Sequence, residues 1–366
     1  MKKKKDASKL NKDNLIRHGG DNVKHVLYFG HLNNRSYGDE IGWCLLDDFV
    51  RKHYRKKIKL HYRSVNAGKK LELGDYDFYL LGCGTCLSNL CAYYADQLLI
   101  QLANSKKRFG VFGAGVYFEE QRKQRGTLFK ASPESYEKTA QYINSAEFIA
   151  VRDVASTNYL SNVSDRKIDI LYDPGLSVAY PKIELKHRKP ILGFNMAVSG
   201  SSCLGSIYTG VEHHNIIWSF LETKRDAYDL MFFSFNNKDV KLINNYAKKG
   251  VLISPYETPQ RLCGEIQNCS LFVGIRVHSD ITCAAYGIPF VSVTYTEPNR
   301  NFLDHINYPH RIMVQDITVD KLSEMFDAVE SDQENISQDL KSKAAIARTT
   351  YAEKAHKLCK VILGEE

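Results

Sequence analysis

An arginine and a histidine stand two positions apart at the end of an apolar segment. Residues 271–275 have the composition of a buried strand, Arg276 and His278 follow it, and Ser279 suits the N-cap of a short helix that Gly287 would end. Open α/β sheets bind ligands at the carboxyl ends of their strands, and a helix N-terminus there favours anions. This pattern predicts an anion-binding edge at which Arg276 and His278 take part in chemistry, although a surface arginine and a structural histidine would give the same local sequence.

A second arginine repeats this arrangement. Residues 148–151 are apolar, Arg152 follows them, and Asp153 to Ser156 open a helical pattern. If two domains face each other with the carboxyl ends of their strands toward a cleft, each wall contributes one arginine. Two guanidinium groups from opposite walls could hold a small polyanion by its phosphate and its carboxylate. The alternative is a surface ion pair between Arg152 and Asp153, which would stabilise little.

Glycine turns follow several strand-like segments and would let backbone N–H groups approach a ligand. They contain Gly38 next to Asp39, Gly82 and Gly84, and Gly113 and Gly115. None has the spacing of a dinucleotide-binding or P-loop motif, so nicotinamide, flavin and P-loop nucleotide chemistry have no support. Asp39 would contact a ligand or complement the dipole of the first helix. Asp173-Pro174-Gly175 is interpreted as a turn that ends the first domain.

Metal sites are not expected. Cys83 and Cys86 have C-x-x-C spacing with Cys91 nearby, but no second pair of ligands stands at a suitable distance, so we interpret them as reduced, buried thiols rather than a zinc site. Nine cysteines scattered through the chain are not a disulfide framework. His213 and His214 would point apart on a helix and are interpreted as a helix start.

Short apolar segments alternate with amphipathic stretches, which predicts an α/β protein with parallel sheets covered by helices on both faces. Ser132 and Thr258, each followed by proline, mark two helix starts. Two runs of this pattern joined near residues 180–190 predict two Rossmann-like domains facing a central cleft. The expected strands are residues 26–30, 58–63, 77–81, 109–112, 147–151, 168–172, 191–195, 230–235, 251–254, 271–275, 290–294 and 311–314.

The length of 366 residues suits two domains. We expect a basic, disordered tail over residues 1–22, an N-terminal domain over 23–185, a C-terminal domain over 186–330, and a C-terminal helix over 331–366 that packs back on the N-terminal domain. The chain is 43% hydrophobic and 25% charged, which is typical of a globular protein. No segment is apolar enough to span a bilayer and the first lysines precede no apolar core, so a cytoplasmic protein is expected.

The net charge of +8 is concentrated at the start of the chain. Residues 1–20 hold seven basic and two acidic residues, a net charge of +5, and the remainder is close to neutral. This distribution argues against a nucleic-acid-binding surface on the folded part. A second interpretation of the tail is contact with anionic lipids at the inner membrane surface, at about 1 kcal/mol per basic residue.

The chain resembles the polysaccharide pyruvyl transferases through short motifs that occur in the same order, over roughly residues 26–305. The arginine–x–histidine–serine segment with the downstream Tyr295 is the most specific of them. The motifs are Tyr37-Gly38-Asp39-Glu40, Gly82-Cys83-Gly84-Thr85, Phe112-Gly113-Ala114-Gly115, Ala150-Val151-Arg152-Asp153 with Ser156, Asp173-Pro174, and Gly274-Ile275-Arg276-Val277-His278-Ser279.

The resemblance implies a GT-B-like pair of Rossmann-like domains. It also implies transfer of a pyruvyl group from phosphoenolpyruvate to two hydroxyls of a glycan or lipid-linked sugar, which forms a cyclic ketal and releases phosphate. His278 would be the catalytic acid or base, and Arg276, Arg152 and Ser279 would bind phosphoenolpyruvate, with no metal or cofactor. Cleft or acceptor candidates are Gly38, Asp39, Gly82, Gly84, Gly115, Tyr117, Tyr295 and Arg300.

Two departures from the family pattern leave the acceptor open. The family commonly has a fuller glycine turn where this chain has Gly82-Cys83-Gly84, and it often has a lysine where this chain has Pro298, for which Arg300 is a substitute. One alternative is a GT-B glycosyltransferase with a nucleotide-sugar donor, whose ribose would need an acidic residue such as Glu265 or Glu297. Another is a non-catalytic glycan-binding protein, which would be expected to lose Arg276 or His278.

Overall fold

The computed structural model describes residues 22–30, 36–64, 73–82, 84–89, 91, 94–118, 132–196 and 211–365. Nearly all of the predicted basic tail and the Cys83 half of the C-x-x-C pair lie outside these residues. Within them the chain forms two sheets whose strand pairs are all parallel, one in each half of the molecule.

The first half carries a sheet in the order β2-β1-β3-β5-β6-β7, with β4 paired to β5 beyond the end of β3. The strand order reverses at β1, so the switch point, where ligands bind in such sheets, lies between β1 and β3. The elements are β1 (Lys24–Gly30), α1 (Tyr37–His53), β2 (Ile58–Ser64), β3 (Phe78–Leu81), β4 (Gly84–Ser88), α2 (Tyr94–Asn104), β5 (Phe109–Tyr117), α3 (Pro133–Ser145), β6 (Phe148–Val151), α4 (Val154–Val163) and β7 (Asp169–Ile170).

The second half carries a sheet in the order β10-β9-β8-β11-β12-β13, with its switch point between β8 and β11. A 3₁₀ turn, Pro174–Ser177, leads into it. The elements are β8 (Ile191–Phe194), α5 (Val211–Thr223), β9 (Asp229–Phe233), α6 (Val240–Ala247), β10 (Leu252–Ser254), α7 (Pro259–Ile266), β11 (Cys269–Gly274), α8 (Val277–Tyr286), β12 (Phe290–Thr294), α9 (Glu297–His305), β13 (Arg311–Met313), α10 (Val319–Ser331) and α11 (Gln333–Leu363).

Each predicted strand is present, and the α/β class with two parallel sheets is confirmed. The predicted helix starts are also confirmed. The side chain of Ser132 accepts a hydrogen bond from the backbone N–H of Ser135, and that of Thr258 accepts one from the backbone N–H of Arg261. The turn expected at residues 113–115 is wrong. Gly113, with φ 79°, forms a bulge at which the pairing with β6 shifts, and β5 continues to Tyr117. Gly84, with φ 102°, likewise opens β4 rather than only a turn.

Helix α11 lies across both halves. Its first part contributes Leu340 and Ala344 to the core around the second sheet. Its last part contributes Tyr351, Leu358 and Ile362 to a core with residues of the first sheet. No helix among the residues that the structure describes is long and apolar enough to cross a membrane.

The start of α1 joins the two halves directly. The backbone N–H of Tyr37 donates to the carbonyl of Phe235 at 3.0 Å, and Ser36 pairs with Asn236 in an isolated antiparallel bridge. The side chain of Tyr37 is fully buried in the core of the second half. The carboxyl ends of the strands in the two sheets therefore face each other across a closed contact at this point.

The packing of α11 on the first sheet predicts a site-specific loss of stability. Leu358→Ala removes a fully buried side chain and should lower the free energy of unfolding by about 2–5 kcal/mol. Ile346→Ala, on the same helix but 53% exposed, should change it by less than about 0.5 kcal/mol. Urea denaturation followed by circular dichroism measures both, and equal losses would contradict this packing.

Candidate active site

The histidine of the Arg-x-His segment lies in the first turn of α8, at the carboxyl end of β11. Arg276, not Ser279, is the N-cap residue, because its backbone is extended (φ −88°, ψ 135°) and the helix begins at Val277. The hydroxyl of Ser279, expected to contact phosphate, donates instead to the carbonyl of Arg276 at 2.6 Å, and the residue is fully buried. Gly287, with φ 69°, ends the helix as predicted.

The imidazole of His278 packs directly on the backbone of Gly38, in the first turn of α1. A Cβ at residue 38 would overlap the ring and lie 2.6 Å from Nε2, so only glycine permits this contact. The ring of Tyr37 meets the imidazole edge-on, with centroids 6.2 Å apart and an interplanar angle of 70°. The histidine of one half is thus positioned by the helix start of the other.

The charges around His278 come from both halves. Burial lowers the pKa of the half-buried His278 to about 4, the nearby Asp173 opposes that shift, and Arg152 and Arg276 add to it. The imidazole of the free protein is therefore neutral at pH 7. The three residues predicted to form the centre of the site, His278, Arg276 and Arg152, are close enough to influence one another.

Arg152 is more enclosed than the sequence suggested. It is 6% exposed, and its guanidinium group contacts Asp173 at 3.2 Å, Asp153 at 3.5 Å and the hydroxyl of Thr85 at 2.7 Å. Gly115 makes room for it, since a Cβ there would lie 2.6 Å from Nε. The alternative of a surface ion pair is wrong because the pair is buried. The side chain binds carboxylates of its own half rather than presenting an open fork to the cleft.

Asp173 was interpreted only as part of a turn, and the structure gives it a second contact. One carboxylate oxygen accepts from the N–H of Gly175 at 3.0 Å, which starts the 3₁₀ turn as expected. The other accepts from Arg152, and the carboxylate lies near enough to His278 to raise its pKa. Asp173 lies 21 positions from Arg152 in the chain, so no local sequence pattern indicates this contact.

One nitrogen of the Arg276 guanidinium group is bound to a carboxylate, and another has no hydrogen-bond partner among the described residues. Its Nη2 donates to Asp239 at 2.5 Å, and the Asp239 carboxylate also accepts from the N–H groups of Phe235 and Asn236 at 3.1 Å each. Asp239 is fully buried; burial raises its pKa and Arg276 counteracts that shift. Nε of Arg276 is buried and has no hydrogen-bond partner among the described residues. Asp239 was not predicted, because it lies 37 positions from Arg276 in the chain.

The remaining candidates divide into those near the centre and those away from it. The carboxylate of Asp39 lies beside Gly84, 3.7 Å from where a Cβ would be, so the start of α1 meets the start of β4. Tyr295 is half-buried, and burial raises the pKa of its hydroxyl while the nearby Arg276 lowers it. Asp39 lies in the first turn of α1, and Tyr295 directly follows β12.

Three other candidates have different surroundings. A Cβ at Gly82 would overlap the ring of Tyr28, so this glycine is required by packing within the first sheet. Tyr117 is 1% exposed at the end of β5. Arg300 lies on α9 with an exposed side chain, and its charge is not among those that shift the pKa of His278.

Neither of the two acidic residues considered for a nucleotide ribose is exposed. Glu265 is 4% exposed and binds Ser254 at 2.5 Å and Arg261 at 2.7 Å, and Glu297 is the half-buried first residue of α9. Cys86 and Cys91, interpreted as reduced thiols, are both buried, and neither forms a disulfide with a described residue. Among the residues that the structure describes, no three His, Cys, Asp or Glu side chains are grouped as metal ligands.

The electrostatic coupling between Arg276 and His278 can be measured directly. Because the guanidinium of Arg276 disfavours a charged imidazole, Arg276→Met should raise the pKa of His278 above about 4. Arg300→Met removes the same charge from an exposed site and should leave that pKa unchanged. An NMR titration of the ring, assigned by its loss in His278→Gln, measures both, and a fall in pKa for Arg276→Met would contradict the geometry.

Solved structures of UDP-GlcNAc 2-epimerases have a fold similar to that of this chain. The chain is similar in fold to the UDP-GlcNAc 2-epimerase of Neisseria meningitidis bound to UDP-GlcNAc (11% identity, 93% of this chain and 100% of that chain, TM-score 0.54). It is also similar to the S. aureus MnaA–UDP co-structure (9%, 93% and 97%, 0.57) and to the UDP-GlcNAc 2-epimerase of Methanocaldococcus jannaschii (11%, 83% and 92%, 0.52). At these identities the likeness establishes the GT-B-like fold alone.

No curated protein matches the sequence. A family model does, and it spans residues 13–297, from before β1 into the start of α9. The matched region contains Gly38, Arg152, Asp173, Arg276 and His278. The chain belongs to the polysaccharide pyruvyl transferase family.

Proposed function

We propose that the protein transfers a pyruvyl group from phosphoenolpyruvate to two hydroxyls of a sugar in a glycan or lipid-linked precursor. The product is a cyclic pyruvate ketal, and phosphate is released. The observation that carries this proposal is the convergence of Arg276 and His278 from the second half with Gly38 and the Arg152–Asp173 pair from the first. An imidazole between two cationic groups suits a substrate that carries two anionic groups.

Phosphoenolpyruvate binding is assigned mainly to the second half. Nε of Arg276 has no hydrogen-bond partner among the described residues, and the first N–H groups of α8 have no carbonyl partner within the helix. Both therefore attract an anion. Ser279 supports this site indirectly by holding the carbonyl of Arg276. Arg152 acts through its charge and by holding Asp173 beside His278, since its own donors already have partners.

The reaction then needs one proton delivered to carbon and two hydroxyl protons removed. His278 as imidazolium protonates the methylene of phosphoenolpyruvate, which leaves an oxocarbenium-like carbon that the first sugar hydroxyl attacks. The C–O bond to phosphate breaks, and the second hydroxyl closes the ketal. Of the two protons released by the hydroxyls, one restores His278 and the other leaves with phosphate. The scheme uses no metal or cofactor, and charge stabilisation comes from the fixed arginines.

The defining experiment is incubation of the purified protein with phosphoenolpyruvate and a panel of pyranosides and lipid-linked sugars. We expect phosphate release that depends on the acceptor, and a pyruvyl mass gain on that acceptor by mass spectrometry. Calorimetry with phosphoenolpyruvate and with nucleoside diphosphate sugars provides the comparison. Binding of a nucleotide sugar without binding of phosphoenolpyruvate would favour a glycosyltransferase and end this proposal.

The pH dependence follows from the state of His278. In the free protein its pKa is about 4, so a general acid must gain its proton when the anionic substrate binds and favours the charged imidazole. We therefore expect kcat to fall as pH rises through a pKa well above 4, with the corresponding limb of kcat/KM at lower pH. Initial-rate profiles measure both, and a kcat that instead rises through this pKa would assign His278 as a base.

The Gly38–His278 contact gives a steric test of the same site. Gly38→Ala places a methyl group where the imidazole lies, so the ring must move and kcat should fall about 10²-fold or more, toward the value for His278→Gln. Gly30→Ala is the matched control, because its Cβ would meet only Tyr28 among the described residues, at 3.6 Å, an ordinary contact. Steady-state kinetics measures both, and a fully active Gly38→Ala enzyme would remove His278 from the chemistry.

A further inference from the structure

Two buried hydrogen-bond donors at the end of the second sheet have no partner among the residues that the structure describes. They are Nδ2 of Asn195 and Nε of Arg276. Asn195 directly follows β8 and is 1% exposed, and Arg276 follows β11, the strand that pairs with β8. Buried polar groups in folded proteins are almost always paired, so two unpaired donors on neighbouring strands indicate that a ligand completes them.

The orientation of the Asn195 amide is fixed by its other atom. Oδ1 accepts hydrogen bonds from the backbone N–H of Ile275 at 2.8 Å and of Arg276 at 3.4 Å. The opposite orientation would place an NH₂ group against two N–H donors and is excluded. Nδ2 therefore presents its hydrogens away from the N–H groups of Ile275 and Arg276, and it has no partner among the described residues.

The position of the pair matches the place where an open α/β sheet binds its ligand. The strand order reverses between β8 and β11, so Asn195 and Arg276 stand on the two sides of the switch point. The ten-residue helix α8 begins at the same point, with its first N–H groups directed at the space beyond the strands. Donors from three sources, one of them charged, thus stand at the same edge of the sheet.

We propose that Asn195 binds the phosphoryl group of the donor substrate, together with Nε of Arg276 and the N-terminus of α8. The inference rests on the proposed function and adds to it a residue and a division of labour. A phosphoryl group has three terminal oxygens and two negative charges, so it uses more donors than a carboxylate does. An amide, a guanidinium and helix N–H groups at one edge of the sheet suit the phosphoryl end of phosphoenolpyruvate.

Asn195→Asp separates the two atoms of this side chain. The carboxylate keeps an acceptor for Ile275 and Arg276 but replaces the donor with a negatively charged oxygen. We expect the affinity for phosphoenolpyruvate and for inorganic phosphate, both measured by calorimetry, to fall by at least about 10- to 100-fold, the loss expected for a hydrogen bond to a charged group. Thermal denaturation should show a folded protein.

Asn268→Asp is the matched control in the same half of the molecule. Its Nδ2 already donates to the carbonyls of Ile183 at 2.7 Å and Glu265 at 2.9 Å, and its Oδ1 accepts from Leu185 at 3.2 Å. This variant should lose thermal stability and keep the wild-type affinity for both ligands. The two substitutions are chemically identical, so opposite effects on binding and stability isolate the available donor of Asn195.

The outcomes distinguish this inference from the proposed function. If Asn195→Asp binds both ligands as tightly as the wild type, the inference is overturned and the pyruvyl transfer is untouched. If it loses phosphoenolpyruvate but keeps inorganic phosphate, Asn195 serves the carboxylate end and the phosphoryl assignment is wrong. If the wild type binds phosphate in an Asn195-dependent manner but no phosphoenolpyruvate, the phosphoryl site stands and the proposed function fails.

Discussion

The site depends on a contact in which the imidazole of His278 occupies the space that a side chain at residue 38 would fill. This contact joins the first turns of two helices, α1 in the first half and α8 in the second. It is supported on the α1 side by Tyr37, whose backbone bonds to Phe235 and whose ring is buried in the opposite core. Because both helices begin at the carboxyl ends of strands, the contact brings the two switch-point edges together and defines the position of everything between them.

The charges of the site are balanced locally before any ligand arrives. Arg152 is paired with Asp153 and Asp173 in the first half, and Arg276 is paired with Asp239 in the second. Each carboxylate offsets part of the cost of burying a guanidinium group, and each also fixes the orientation of that group. The donors are therefore in place when charge develops in the reaction, and little reorganisation of the protein is needed.

The architecture and the grouping of Arg276 with His278 were predictable from the sequence because both depend on local patterns. A buried strand followed by Arg276 and His278 needs only a few consecutive residues to be recognised. Asp239 and Asn195 were not predicted as site residues. They lie 37 and 81 positions from Arg276 in the chain, and no spacing rule covers such separations. Ser279 was misplaced because serine is a common N-cap, whereas here the extended backbone of Arg276 starts the helix three residues earlier.

The single long helix at the end of the chain constrains how the two halves can separate. Its 31 residues extend about 46 Å, with one end embedded in each core, so it acts as a strut rather than as a flexible strap. A swing of one half relative to the other must bend this strut or slide one of its ends across a packed surface. A change in the packing of its final turns would therefore be transmitted along the helix to the contact between the two halves.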